Sequence, residues 1–145
     1  DQHIKIIDRL LKETDYRVIL LGGPEDAERN KEIANAFPLE VISTPTNEGV
    51  RMGAVYEALA DIIVTGDSFG MHLGIALEKY IVSWFGLSCW TEIDLYDHGV
   101  MFYPKDLECA PCWKKSCPYK LECIDQIDLD GIYNAVIDAA TKLIK

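Results

Sequence analysis

No stretch of the chain reaches the roughly 18 uninterrupted apolar residues that a membrane-spanning helix needs. The opening residues, DQHIKIIDRLL, lack the basic start, apolar middle and small-residue cleavage site of a secretory signal. The expected compartment is therefore the reducing cytoplasm. Basic charge is also short. Fourteen Lys and Arg stand against 24 Asp and Glu, a formal net charge of −10. Clustered cations for a nucleic-acid backbone are missing, so nucleic acid is excluded as a partner. Phosphorylated small molecules are not excluded, because backbone N–H groups and helix starts hold phosphate without a basic surface. Low-complexity segments are absent, as is any repeat beyond an alternation of helix and strand patterns.

What remains is a chain of 145 residues, 49% hydrophobic and 26% charged, enough for one domain with a core. Residues 3–13 carry Ile4, Ile7, Leu10 and Leu11 at helical spacing. RVILL, 17–21, reads as a buried parallel strand. Pro24 suits a first helical position, and Glu25, Asp26 and Glu28 suit the first turn of a helix running to about Ala36. PLEVIS, 38–43, is the next strand. The loop 43–49 offers Asn47 as a helix cap, with the helix continuing to about Leu59. DIIVTG, 61–66, is a third strand, followed by a helix at about 69–78. YIVSWFG, 80–86, is a fourth. Strand centres about twenty residues apart indicate successive right-handed βαβ units in a doubly wound α/β parallel sheet. The loops 22–26, 43–47, 65–70 and 86–92 then lie at C-terminal strand ends and are expected to line one rim, where such sheets bind ligands. Residues 92–127 are polar, rich in Cys and Pro, and expected to be irregular. Leu129, Ile132, Tyr133, Val136, Ile137, Ala140, Leu143 and Ile144 form the apolar stripe of a last helix.

The corner VTGDSFGMHLGIAL, 64–77, concentrates chemistry at one strand-to-helix turn. Gly66 allows a positive φ or a close approach. Asp67 or Ser68 can cap the helix. At Gly70 a ligand can lie against bare backbone. Exposed amides and the positive helix end make an anion site, with His72 one short turn further on. The plainer reading is a capped turn with a structural histidine.

Cys109, Cys112, Cys117 and Cys123 are spaced Cys-x2-Cys-x4-Cys-x5-Cys within a loop at 105–125. The first pair suits a metal knuckle and the second does not, so metal, two disulfides and packed thiols all fit. No ligand set is assigned to a metal and no cofactor is expected. The role expected of the cluster is to staple the loop. Lys114, Lys115 and Lys120 interleave it, which suits either an anionic lipid acceptor or a solvated face.

Four stretches in order carry a family resemblance. ADIIVTGDSFGMHLGIAL resembles the Asp-Ser/Thr-Gly-x-x-His signature of family 9 glycosyltransferases, the lipopolysaccharide heptosyltransferase family, with the departure that Phe69 separates Ser68 from Gly70. VILLGGPEDAERNKEIA, SWFGLSCWTEI and ECAPCWKKSCPYKLECI resemble three further elements of that family. The resemblance implies a GT-B enzyme, two Rossmann-like domains across a cleft, of which residues 1–145 match the C-terminal, donor-binding domain without its opening strand. It implies a nucleotide-diphosphate sugar as donor, ADP-heptose by family habit, and a lipid-linked saccharide of lipopolysaccharide-core type as acceptor. The acceptor and the carboxylate base are expected on an N-terminal domain, so no catalytic residue is assigned here and the piece alone is expected to be inactive. Peripheral association with the inner face of the bacterial inner membrane follows from such an acceptor. Backbone groups of Ser68, Phe69 and Gly70 are then expected on the pyrophosphate, with His72 an added donor and Asp67 ordering the turn. Asp26 is expected on ribose hydroxyls, against a plain helix-dipole role. Thr44 and its loop are expected at the adenine edge, against a plain turn, and Trp90 is expected in packing. The competing functions are a noncatalytic nucleotide-binding domain and a GT-B sugar-nucleotide epimerase.

Overall fold

The computed structural model describes residues 2–114, 116–120 and 122–143; Lys115 and Ile144 lie outside the described residues. The chain divides into two compact units, residues 1–60 and residues 61–145.

The first unit begins with α1, Gln2–Glu13, whose Ile6, Ile7 and Leu10 are buried. Exposed pairs Arg9–Glu13 and Lys12–Asp8 reinforce its outer face, each by a few tenths of a kcal/mol. Thr14 ends the helix: its amide and its hydroxyl both donate to the Leu10 carbonyl. β1, Val18–Leu20, pairs in parallel with β2, Val41–Ser43, in the register Val18↔Val41. Between them run a 3-10 turn, Pro24–Asp26, and α2, Ala27–Ala36. Ile7, Ile33 and Val41 form the core, with Ile4, Leu11, Val18, Leu20 and Phe37 packed on it. Both α1 and α2 therefore cover the sheet face that carries Val18, Leu20 and Val41. α3, Gly49–Ala58, completes the unit.

In the second unit β3, Ile62–Gly66, β4, Tyr80–Trp84, and β5, Gly99–Phe102, form a parallel sheet in that order. α4, Phe69–Ala76, crosses between β3 and β4. α6, Leu129–Leu143, packs on all three strands through Ile132, Tyr133, Val136, Ala139 and Ala140. Asp128 caps it, its carboxylate accepting the Gly131 amide at 2.8 Å. Met71, Ile81, Val82 and Phe85 are all but fully enclosed. Each such side chain contributes about 1.5–3 kcal/mol through its removal from water.

Three expectations need correction. β2 starts at Val41 and not at Pro38, because 38–40 turn back on Phe37: the amides of Glu40 and Val41 both donate to the Phe37 carbonyl, and Leu39 has φ 77°. Asn47 does not cap α3. Glu48 stands at the cap position without a side-chain cap bond, and Gly49 has φ 80°, a left-handed kink that glycine accepts without strain. Segment 92–127 is not wholly irregular. It contains β5, the end of a 3-10 turn at Trp90–Glu92 and a short helix, α5, at Glu122–Asp125. β5 is reached from β4 through residues 85–98 without an α-helix. Its pairing is fixed at both ends by Ile81 N–H to the His98 carbonyl and Phe85 N–H to the Phe102 carbonyl.

Candidate functional site

In the second unit, the chain leaves β3 at Gly66 and enters α4 at Phe69. Ser68, extended at φ −153° and ψ 167°, is the N-cap, and its Oγ accepts the Met71 amide at 3.3 Å. Asp67 takes no part in the cap. Thr65 Oγ1 donates to the Gly66 carbonyl at 3.0 Å and lies 3.0 Å from Ser68 Oγ. With its proton so committed, Thr65 accepts the Ser68 proton. The Ser68 hydroxyl is thus consumed within the corner as both donor and acceptor. Thr65 is a member of the site that the sequence reading left unassigned, although it adjoins the Gly-Asp-Ser run.

The consequence is a helix start with amides to spare. The first amides of an α-helix lack acceptors one turn earlier. Here Met71 N–H is taken by the cap and His72 N–H reaches the Ser68 carbonyl at 3.4 Å, which leaves those of Phe69 and Gly70. Asp67, Ser68, Phe69 and His72 are exposed. His72 Nε2 lies 3.9 Å from Asp67 Oδ1, which puts the ring beside the turn. Gly66 is a plain strand residue without positive φ, paired with Trp84. A Cβ there would meet the Trp84 indole nitrogen at 3.4 Å, so the backbone here does not call on glycine's freedom to take a positive φ.

In the first unit, Asp26 and Thr44 both sit beyond C-terminal strand ends. The Asp26 carboxylate accepts the Gly23 amide at 3.1 Å through Oδ2 and pairs with Arg29 at 2.7 Å through Oδ1. It lies so close over Gly22 that a Cβ there would stand 2.6 Å from the Asp26 Cβ. This closes the Gly-Gly turn and fixes where the carboxylate sits, while leaving it lone pairs for further donors. Thr44 ties the two strand ends: its amide and its hydroxyl donate to the Leu20 carbonyl at 3.1 and 3.0 Å. Buried Asn30 donates to the Leu21 carbonyl at 3.2 Å and anchors α2 beneath the same turn. Nothing in its sequence context marks it out, since a helical Asn normally faces water. Beyond β4, Trp90 stacks on Tyr103, ring centroids 4.4 Å apart and planes within 7°, which is packing as expected.

Parallel strands with crossover helices, and an open helix start at a strand's C-terminal end, define a Rossmann-like α/β fold. The chain belongs to glycosyltransferase family 9 (heptosyltransferase), whose sequence profile matches residues 2–122. It is 30% identical over 90 residues to the lipooligosaccharide heptosyltransferase 2 of Campylobacter jejuni, covering 61% of this chain and 27% of that one. A glycosyltransferase-like protein of Haemophilus influenzae is 29% identical over 122 residues, covering 79% of this chain and 34% of the other. The chain thus spans about a third of the length of these relatives. Its fold is that of the E. coli ADP-heptose lps heptosyltransferase II, with a TM-score of 0.78 at 18% identity over 99% of this chain and 42% of that one. No helix among the described residues is long and apolar enough to cross a membrane.

Proposed function

We propose that this chain is the donor-binding part of a glycosyltransferase that takes an ADP-linked heptose and passes it to a lipid-linked saccharide of lipopolysaccharide-core type. One observation carries the reading: the start of α4 offers two amides without helical acceptors, one on exposed Phe69 and one on half-buried Gly70, at the C-terminal end of a parallel strand. Family membership and the likeness to the Campylobacter lipooligosaccharide heptosyltransferase support the choice of donor and acceptor class.

Glycosyl transfer from such a donor breaks the bond between the anomeric carbon and the diphosphate, and negative charge grows on the departing oxygen. Fixed donors aimed at that charge lower the barrier without reorganising during the reaction. The Phe69 and Gly70 amides, the α4 dipole and the His72 ring are the donors this chain supplies. Asp67 lies beside His72 and orients it; pointed at phosphate, its charge would repel. Asp26, held by Gly23 and Arg29, takes the ribose hydroxyls, and the backbone beside Thr44 meets the adenine edge. The base that activates the acceptor hydroxyl belongs to a further domain, so the 145 residues alone turn over no acceptor. The enzyme works on the cytoplasmic side of the inner membrane, where a lipid-linked acceptor is presented.

Calorimetric titration of the complete protein with ADP and UDP tests this. ADP binding that exceeds UDP binding, and that weakens in His72→Ala and in Asp26→Ala, is the expected result. Failure of the folded protein to bind ADP overturns the reading. Transfer of heptose to a lipooligosaccharide acceptor separates an enzyme from a noncatalytic binding domain. Isomerised sugar nucleotide formed without acceptor would instead indicate an epimerase.

A further inference from the structure

The cysteine-rich segment takes no part in the donor site, and its cysteines are in no disulfide. Its large side chains face outward. Trp113 is 57% exposed and Tyr119 61%. The backbone holds Trp113 there: the amides of Cys112 and Trp113 both donate to the Leu87 carbonyl at 3.0 Å, and Trp113 takes a left-handed φ of 56°. A bulky residue in that region is strained and persists only where its surroundings fix it. Leu87 is itself 44% exposed. Ile124, also exposed, adjoins the same turn, its Cδ1 3.1 Å from where a Gly86 side chain would begin. Lys114, Pro118 and Tyr119, all exposed, line one hollow of the segment. Cys112 and Cys123, the chain neighbours of Trp113 and Ile124, line that hollow too, which joins the two groups into one patch.

The patch is also where the chain turns basic. Residues 109–121 carry Lys114, Lys115 and Lys120 and no Asp or Glu, in a chain of net charge −10. Lys114 and Lys120 are exposed, with Glu108 and Asp125 at the margins of the stretch. Exposed aromatic rings beside lysines select a partner. Trp and Tyr settle where an apolar medium meets water. Lysine stems lie along apolar matter while their ammonium groups reach anionic headgroups. A basic protein is repelled by the lysines. In a two-fold dimer the patch would face itself and set lysine against lysine. The acidic remainder of the chain does not oppose a membrane, because screening over about 8 Å confines the interaction to groups at the surface.

We propose that Leu87, Trp113, Tyr119 and Ile124, with Lys114 and Lys120, dock on the anionic surface of a lipid bilayer. The rings enter the boundary between headgroups and acyl chains, and the lysines stay at the level of the lipid phosphates. Leu87 follows β4 at the C-terminal end of the strand, the end of the sheet at which α4 also starts. Docking therefore brings that end of the sheet to the membrane. The proposal rests on the reading of a lipid-linked acceptor and names the surface that meets the acceptor's membrane.

Co-sedimentation of the complete protein with vesicles of phosphatidylglycerol and phosphatidylethanolamine is expected to exceed that with phosphatidylcholine alone, and to fall as salt is raised. Each lysine near such a surface is worth about fivefold in partitioning, so Lys114→Gln combined with Lys120→Gln should weaken binding about 25-fold while ADP affinity is kept. Other parts of the complete protein also have access to the vesicle, so contact is read at the residue itself. Lipids brominated on the acyl chain near the headgroup should quench part of the tryptophan emission. Trp113→Phe, which keeps an aromatic ring and vesicle binding, should remove that quenched part. A protein that binds ADP but ignores anionic vesicles overturns this proposal and leaves the donor reading standing. Equal quenching in the unaltered protein and Trp113→Phe, undiminished sedimentation of the double lysine variant, or a lipid-free dimer that Trp113→Ala dissociates would each overturn it as well.

Discussion

Phe69→Pro removes a single hydrogen-bond donor from the start of α4 while leaving the helix intact. Position 69 is the first helical residue, where proline is favoured because its missing N–H had no helical acceptor. The residue before a proline must be extended, and Ser68 already is, at φ −153° and ψ 167°. The Phe69 ring is 63% exposed, so little packing is lost. Phe69→Ala removes the ring but keeps the amide, and the difference between the two variants isolates the N–H. A hydrogen bond to a charged oxygen is worth about 1.5–3 kcal/mol. At about 1.4 kcal/mol per decade, the Kd for ADP should rise about tenfold to 150-fold from Phe69→Ala to Phe69→Pro. Their unfolding midpoints should differ by no more than about 0.5 kcal/mol equivalent. Calorimetry with ADP, beside urea unfolding of the same samples, reads both quantities. Equal ADP affinities in two folded variants would refute the assignment of diphosphate to the α4 amides.

The remaining expectations concern the scaffold. Asp26→Ala should destabilise the first unit by about 1–2 kcal/mol in urea unfolding, because the Gly23 amide and Arg29 lose their acceptor. Asp26→Asn keeps a carbonyl for Gly23 and should cost about half as much, and equal losses would show that the hydrogen bond to Gly23 contributes nothing. Gly99→Ala sets a methyl 2.4 Å from the Ile81 carbonyl oxygen, a backbone atom that cannot swing away, so β4 and β5 must part. A loss of about 1–3 kcal/mol is expected in thermal unfolding, and an unchanged midpoint would contradict the register of β5. Burial, and secondarily the charge of Arg29, hold the His3 imidazole below its usual 6.5. The unfolded chain thus takes up this proton first as pH falls, so the stability His3 confers above about pH 6.5 is lost on acidification. Urea midpoints should drop more between about pH 7.5 and 5.5 in the unaltered protein than in His3→Gln, whereas parallel slopes would rule the effect out.

Local pattern decided the alternation of elements. The stripe of Ile4, Ile7, Leu10 and Leu11 admits only a helix with one wet face, and runs such as IIVTG and YIVSW admit only strands covered on both sides. The same logic placed Gly-Asp-Ser at the end of one such run and a helix directly behind it. These features depend on neighbours within a few residues, so they are written in the chain. Other features depend on groups far away in sequence. GVMF becomes β5 because β4 presents Ile81 N–H to the His98 carbonyl and Phe85 N–H to the Phe102 carbonyl. Asn30 is buried because the Leu21 carbonyl needs a donor. Both Asp67 and Ser68 had the chemistry of a cap, and Ser68 took the role because Thr65 Oγ1 holds its hydroxyl in place. Gly99 is required by the Ile81 carbonyl, and four cysteines spread over 15 residues reach one cavity only when Leu87 and Gly86 receive them. Short-range periodicity carries no record of which distant donor meets which acceptor, and that matching is what folding adds.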